Sequence, residues 1–482
     1  MRAPATLRLL GMAVLGLWGA SLGALAQAAD SLAAPNVPMP SAVRATLPNG
    51  LKLIMVPRHE LPLLAVEAVL RGGARVEEPA QAGVAALTAE LLSRGAGGRD
   101  AYAFTDALED SGGSLGAAAG NESLSVSGQF LAGDETLMLN LLGDMLLRPH
   151  FEAAEFEKLR ARRIEGLRAA KDSEPQALLG NYAHALLFAG HPFAQPVGGS
   201  EASLATLKLA DVARYYHEQF GPERTTLVIA GDFDPGRMRL AVEKVFGGWP
   251  RLGRALPALP IPQRRHGRRV LLIDSPGSTQ TYFWLGNVGV ARNYPARGAL
   301  NITDTAFGGG PLNSMLSTEL REKRGLTYSI NCYFVRGTVP GEFAISSFVR
   351  TEDTARAIQT TLDTLAALHE RGLDATQLNA ARNYILGQYP LAFQSAGDWA
   401  EVFADLDFFA FPISRISGYG SELLRVQPAD IAHVIADAFP EPADLDLVLI
   451  GDAAKIRAEV AAFGPVSEKS LSAPDYSPPP AH

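Results

Sequence analysis

The chain has 482 residues, 47% of them hydrophobic, enough for two or more domains with apolar cores. Its 43 basic side chains are outnumbered by 51 acidic ones, a net charge of −8, so the electrostatic footprint of a nucleic-acid binder is missing and a basic substrate suits it better. A single cysteine, Cys332, excludes an internal disulfide, and nine histidines offer few metal ligands.

At the start, Arg2 and Arg8 precede or flank an apolar run over 9–25 that ends in small residues, the pattern of a secretory signal peptide over 1–28. The run is short for a bilayer span, which favours a cleaved leader over a retained membrane anchor. Export without disulfides points to a bacterial periplasm. After a proline-rich spacer, strands are expected over 51–56 and 63–70, followed by helical periodicity in QAGVAALTAELLSRG up to the breaker Gly95. Long helices are expected over 134–147 and 153–171, an irregular connection at HPFAQPVGG (191–199), then helix, strand TTLVIAGD and helix up to residue 246.

That ending recurs. Ala210-Asp211-Val212-Ala213 matches Ala429-Asp430-Ile431-Ala432, and the strand ending at Asp232 matches the one ending at Asp452, at offsets of 219 and 220 residues. Two coincidences at one offset indicate a duplicated α+β unit. The expected organisation is a first domain over 41–250, an arginine- and proline-rich linker over 251–268, a second domain over 269–466 and a disordered tail over 467–482.

Chemistry is sparse. HExxH, HxxEH and a complete phosphate loop are absent, and Ser114, set among glycines, has no accompanying histidine and aspartate to make it a nucleophile. The densest stretch is FGGGPLNSMLSTELREKRGLTYSINCYF, residues 307–334. Leu312, Met315, Leu316 and Leu320 recur at the spacing of one buried helical face, Gly325 ends the helix, and 326–334 reads as a strand. The run Gly308, Gly309, Gly310 is a close backbone packing or a substrate-strand contact. By strand alternation Tyr328 shares a mostly apolar face with Ile330, Cys332 and Phe334, which by itself favours a core tyrosine, and Arg321 at a helix C-terminus is well placed against the dipole.

With its Arg321 in LREK and Tyr328 seven residues on, this stretch resembles the C-domain signature of the M16 zinc metallopeptidases, the pitrilysin and mitochondrial processing peptidase group. PNGLKLIMVP (48–57) and GHPFAQPVGG (190–199) are also similar to that family. The resemblance implies two homologous α+β domains with mixed, helix-flanked sheets, joined by a linker and forming half of a clamshell chamber. It also implies that Arg321 and Tyr328 touch the peptide at the scissile bond. Where zinc-binding members carry GLAHLLEHM, this chain has Gly83-Val84-Ala85-Ala86-Leu87-Thr88-Ala89-Glu90. Ala86, Ala89 and Glu90 stand at the positions of the two histidines and the catalytic glutamate, and the family's later glutamate ligand falls near Glu165. One carboxylate cannot hold a catalytic zinc, and alanine has no lone pair.

The expectation is therefore a chain without a metal of its own. A zinc-bearing M16 homologue with an intact HxxEH would be its partner in an exported heterodimer, and Arg321 and Tyr328 would act in trans on a peptide or unfolded protein, with Gly308 to Gly310 against the substrate strand. The alternative is a non-catalytic structural or peptide-binding module of the same fold.

Overall fold

The computed structural model describes residues 34, 37–310 and 313–479. The expected leader over 1–28 lies outside the described residues. Among the described residues no helix is long and apolar enough to cross a membrane.

Two six-stranded mixed sheets carry the fold. The first contains β1 (Val43–Thr46), β2 (Lys52–Pro57), β3 (Leu63–Arg71), β4 (Ser114–Ala119), β5 (Ser123–Leu131) and β6 (Thr225–Gly231), in the order β1-β2-β6-β3-β5-β4. The second contains β7 (Val270–Asp274), β8 (Gln280–Val288), β9 (Ile330–Arg336), β10 (Pro340–Arg350), β11 (Asp446–Gly451) and β12 (Val466–Ser470), in the order β12-β7-β11-β8-β10-β9. In each, the late strand of the repeat, β6 or β11, sits in the interior. It pairs parallel to one neighbour and antiparallel to the other. Every residue of both strands is buried, which explains why TTLVIAG and DLVLIG read as unbroken runs and not as alternating patterns. The matching order of five strands shows the duplication at the level of topology.

Each half lends a helix to the other. The Ala396–Phe408 helix of the second half lies on β3 and β6 of the first sheet, where Trp399, Ala400 and Phe403 pack on Ile54, Val56, Ala65 and Val228. Reciprocally, the Leu179–Leu187 helix of the first half covers β8 and β11 of the second sheet through Tyr182, Ala183 and Leu186, against Ile273, Trp284 and Val448. Polar contacts join the halves at the same places. Thr226 donates to Asp407 at 2.7 Å, Lys52 pairs with Asp407 at 3.0 Å, and His184 meets Glu342 at 3.1 Å.

Between Phe246 and Val270 the chain has no helix or strand and runs along the surface, held by Arg224 donating to the Arg254 carbonyl at 3.0 Å and by Arg264 donating to the carbonyls of Asp437 and Ala438 at 2.7 Å. The expected disordered tail is a correction. Residues 466–470 form β12, parallel to β7, and Tyr476 is buried edge-on against Tyr182 with ring centroids 4.9 Å apart. A short polar strand followed by a proline-rich end hides these contacts from a reading by composition.

Candidate functional site

The stretch that ends in Tyr328 folds differently from its pattern. Leu316 and Leu320 are buried as the periodicity requires, but Ser317–Glu322 is a π-helical turn, with the Lys323 amide reaching back to the Thr318 carbonyl at 3.0 Å. Such widened turns rest on one extra residue per turn and leave no mark in a hydrophobic pattern. Leu312 lies outside the described residues. Gly325, at φ +60°, ends the helix, and the Leu326 amide closes back on the Leu320 carbonyl at 2.8 Å with both leucines buried.

The strand then starts at Ile330, not at Leu326 as its composition suggested, so the alternation that by itself favoured a core tyrosine does not reach Tyr328. Tyr328 precedes the ladder and is 74% exposed. A hydroxyl network holds the turn that presents it. Thr327 Oγ1 donates to the Phe348 carbonyl at 2.7 Å and accepts from the Ser329 amide at 3.2 Å, while Ser347 Oγ donates to the Ser329 carbonyl at 2.7 Å. Replacing Thr327 by valine keeps the shape and strands these partners. We expect a loss of about 1–3 kcal/mol in chemical denaturation, together with a weakened Tyr328 contact to any partner.

The two side chains singled out from the sequence come together. The Arg321 guanidinium lies over the Tyr328 ring, 4.8 Å from its centroid. The neighbouring cations are neutralised locally: Lys323 pairs with Glu319 at 2.6 Å, and Arg324 pairs with the same carboxylate. Among the described residues Arg321 has no ion pair, so the site presents one uncompensated guanidinium beside one exposed phenol.

The glycine run has a packing cause. A Cβ on Gly308 would lie 2.6 Å from Leu316 Cδ1 and 2.8 Å from Cys332 Cβ, and one on Gly309 would lie 2.8 Å from the Asp304 carboxylate. Gly308 is buried, Gly309 is exposed, and a Cβ on Gly310 would press on the Thr305 carbonyl at 2.5 Å. These contacts let a second π-helical turn, Thr305–Gly309, lie against β9. Of the three glycines only Gly309 is exposed to an approaching strand.

In the first half, the helix Val84–Leu91 carries Ala86 and Ala89, both buried and without donor atoms. Glu77 caps its start, accepting from the Ala85 amide at 2.7 Å and the Gly83 amide at 3.0 Å, and burial pushes its carboxyl up to about 8. Glu90 is held by Arg163 at 2.6 Å, and Glu165, 68% exposed, pairs with Arg168 at 2.6 Å. A guanidinium from the Ala153–Ser173 helix thus neutralises the one carboxylate on the Val84–Leu91 face. Two methyl groups and an already paired carboxylate do not fit a zinc ion. Among the described residues no three His, Cys, Asp or Glu side chains gather so as to hold a metal ion.

Comparison with known proteins agrees with this geometry. The model of the insulinase group, peptidase family M16, matches residues 62–201, and that of the peptidase M16 inactive domain matches residues 206–385. The chain belongs to the M16 peptidase family. Within it, this member lacks the zinc ligands. A Mycobacterium leprae protein named an uncharacterized zinc protease is 27% identical over 357 residues, covering 74% of this chain and 80% of the relative. A Helicobacter pylori protein named a non-peptidase homolog is 22% identical, covering 82% of this chain and 91% of that one. The crystal structure of a peptidase M16 inactive domain from Pseudomonas fluorescens superposes with a TM-score of 0.80 at 22% identity, over 85% of this chain and 98% of that one.

Proposed function

We propose that this chain is the zinc-lacking subunit of an exported two-subunit M16 peptidase, closing half of a clamshell chamber around a peptide or unfolded protein. The observation that carries the reading is the asymmetry between its halves. Ala86, Ala89 and the Arg163-bound Glu90 leave no ligand set, while Tyr328 stays exposed and Arg321, half-buried beside it, has no ion pair among the described residues. In the partner, zinc would activate the attacking water. Here the Tyr328 hydroxyl would donate to the oxyanion that develops at the scissile carbonyl, the Arg321 guanidinium would hold neighbouring substrate carbonyls, and Gly309 would let the substrate strand approach. The test is co-purification from the periplasm with a homologue that carries HxxEH. A stable pair supports the reading, and a monomer or homodimer that ignores such a homologue overturns it.

The name of the Helicobacter pylori relative favours a second reading, a non-catalytic peptide-binding or structural module. In that case the Arg321–Tyr328 pair persists without contributing to turnover, and the same co-purification separates the two.

A further inference from the structure

Four arginines converge where the two halves meet. Arg292 follows β8, Arg297 opens the helix Arg297–Asp304, Arg336 ends β9, and Arg415 lies in the short helix Ser414–Ser417. Together with Asn301 and Tyr389 they line a cavity of about 180 Å³. Guanidinium groups stay charged, so packing four of them together is unfavourable unless anions compensate.

Compensation is incomplete. Asp405 pairs with Arg292 at 3.1 Å, and Glu422 pairs with Arg297 at 2.8 Å. Arg415 has no carboxylate among the described residues. It donates to the Arg292 carbonyl at 2.8 Å and lies over the Phe411 ring, and burial, then the charges of Arg297, Arg292 and Arg336, pushes it down to about 10. The Arg336 side chain makes no hydrogen bond among the described residues, and its Nε is buried without a partner. The carboxylate that acts on it most is Asp304, whose own carboxyl burial pushes up to about 7, so that anion is weak.

The cavity does not stand alone. Arg292, Arg336 and Asp405 also form a wall of a larger cleft of about 690 Å³ between the halves, a size typical of ligand sites. The rest of that cleft has the opposite sign. Burial, then the charge of Glu401, pushes the Glu67 carboxyl up to about 7, and neither has an ion pair among the described residues. Glu342, 5% exposed, gives one oxygen to His184 and leaves the other unpartnered. Phe188, Phe193 and Phe393 supply apolar surface. Anion demand at one end, spare carboxylates beyond it and aromatic walls between describe a zwitterionic, extended ligand. A free phosphate would gain nothing from the acidic part.

We propose that this cleft binds the C-terminal segment of a short basic peptide, its terminal carboxylate received by Arg336, which lines both the cleft and the arginine cavity, and a cationic side chain by Glu342. A planar carboxylate matches the guanidinium fork in two-point contact. The site lies wholly within this chain and stands whether or not Arg321 and Tyr328 serve a partner.

The test uses the isolated full chain and calorimetric titration with the peptide Ala-Lys-Ala-Lys-Ala in two forms, free acid and C-terminal amide. The free acid is expected to bind and the amide to bind at least about tenfold more weakly, the discrimination of a lost charge-assisted pair. Arg336→Gln is expected to erase the difference between the two forms. Because the Arg336 side chain makes no hydrogen bond, the same change is expected to raise the melting temperature of the ligand-free chain by relieving repulsion, a readout separate from binding. Equal binding of acid and amide, no binding of either, or inorganic phosphate binding more tightly than the free acid would each overturn the proposal.

Discussion

In a reconstituted pair with a zinc-bearing homologue, Tyr328→Phe is expected to lower kcat by about 100- to 1,000-fold, the usual effect of removing one oxyanion donor. The substitution deletes a single oxygen from a ring that is 74% exposed and precedes the sheet ladder. Stability of the mutant chain is therefore expected to stay within about 0.5 kcal/mol of the parent, and pairing should be unaffected. KM should change little, because the phenol serves charge that appears only as the carbonyl is attacked. Arg321→Ala divides differently. It removes a donor to carbonyls present in both substrate and transition state, so KM is expected to rise with a smaller fall in kcat. If Tyr328→Phe turns over peptide at the parental rate, the phenol has no part in the reaction.

The largest structural effect is expected at Trp399. Its side chain is fully buried between the Ala396–Phe408 helix and the first sheet, among Val56, Ala65, Val228 and Phe403. Truncation to alanine should cost about 3–5 kcal/mol through lost transfer energy and the cavity left behind. Its location makes the test specific. Trp399 belongs to the second half in sequence but covers the sheet of the first, so hydrogen exchange should accelerate in β2, β3 and β6 more than in β8 and β11. Tyr182→Ala, on the reciprocal helix, should show the opposite bias. Loss of protection confined to the residue's own half would contradict the exchange of helices.

Much of this architecture was legible. The fully buried strands β6 and β11 announce themselves as apolar runs, and their shared offset exposes the repeat. The exchange of helices was not. An amphipathic pattern shows that a helix has a buried face but not which sheet that face meets, and Trp399 and Tyr182 read alike whichever half they cover. The Arg321–Tyr328 pair was legible from spacing, whereas the exposure of Tyr328 was not, because hydroxyl bonds from Thr327 and Ser347 delay the strand by several residues. Arg163 had no signal either. Its role arises only when two helices far apart in sequence pack together and bring it to Glu90. Glu342 and Arg336 belong to no motif; only the meeting of the two halves gives them neighbours.

The central claim is that this chain contributes hydrogen-bond donors to a reaction at a metal held by another polypeptide. The most direct measurement is zinc content together with peptide turnover, for the isolated chain, the isolated homologue and the assembled pair. A role in trans predicts no stoichiometric zinc and no cleavage by the isolated chain, and one zinc per assembled pair with turnover that depends on Tyr328. One equivalent of tightly bound zinc in the isolated chain, with cleavage by it alone, would contradict that claim.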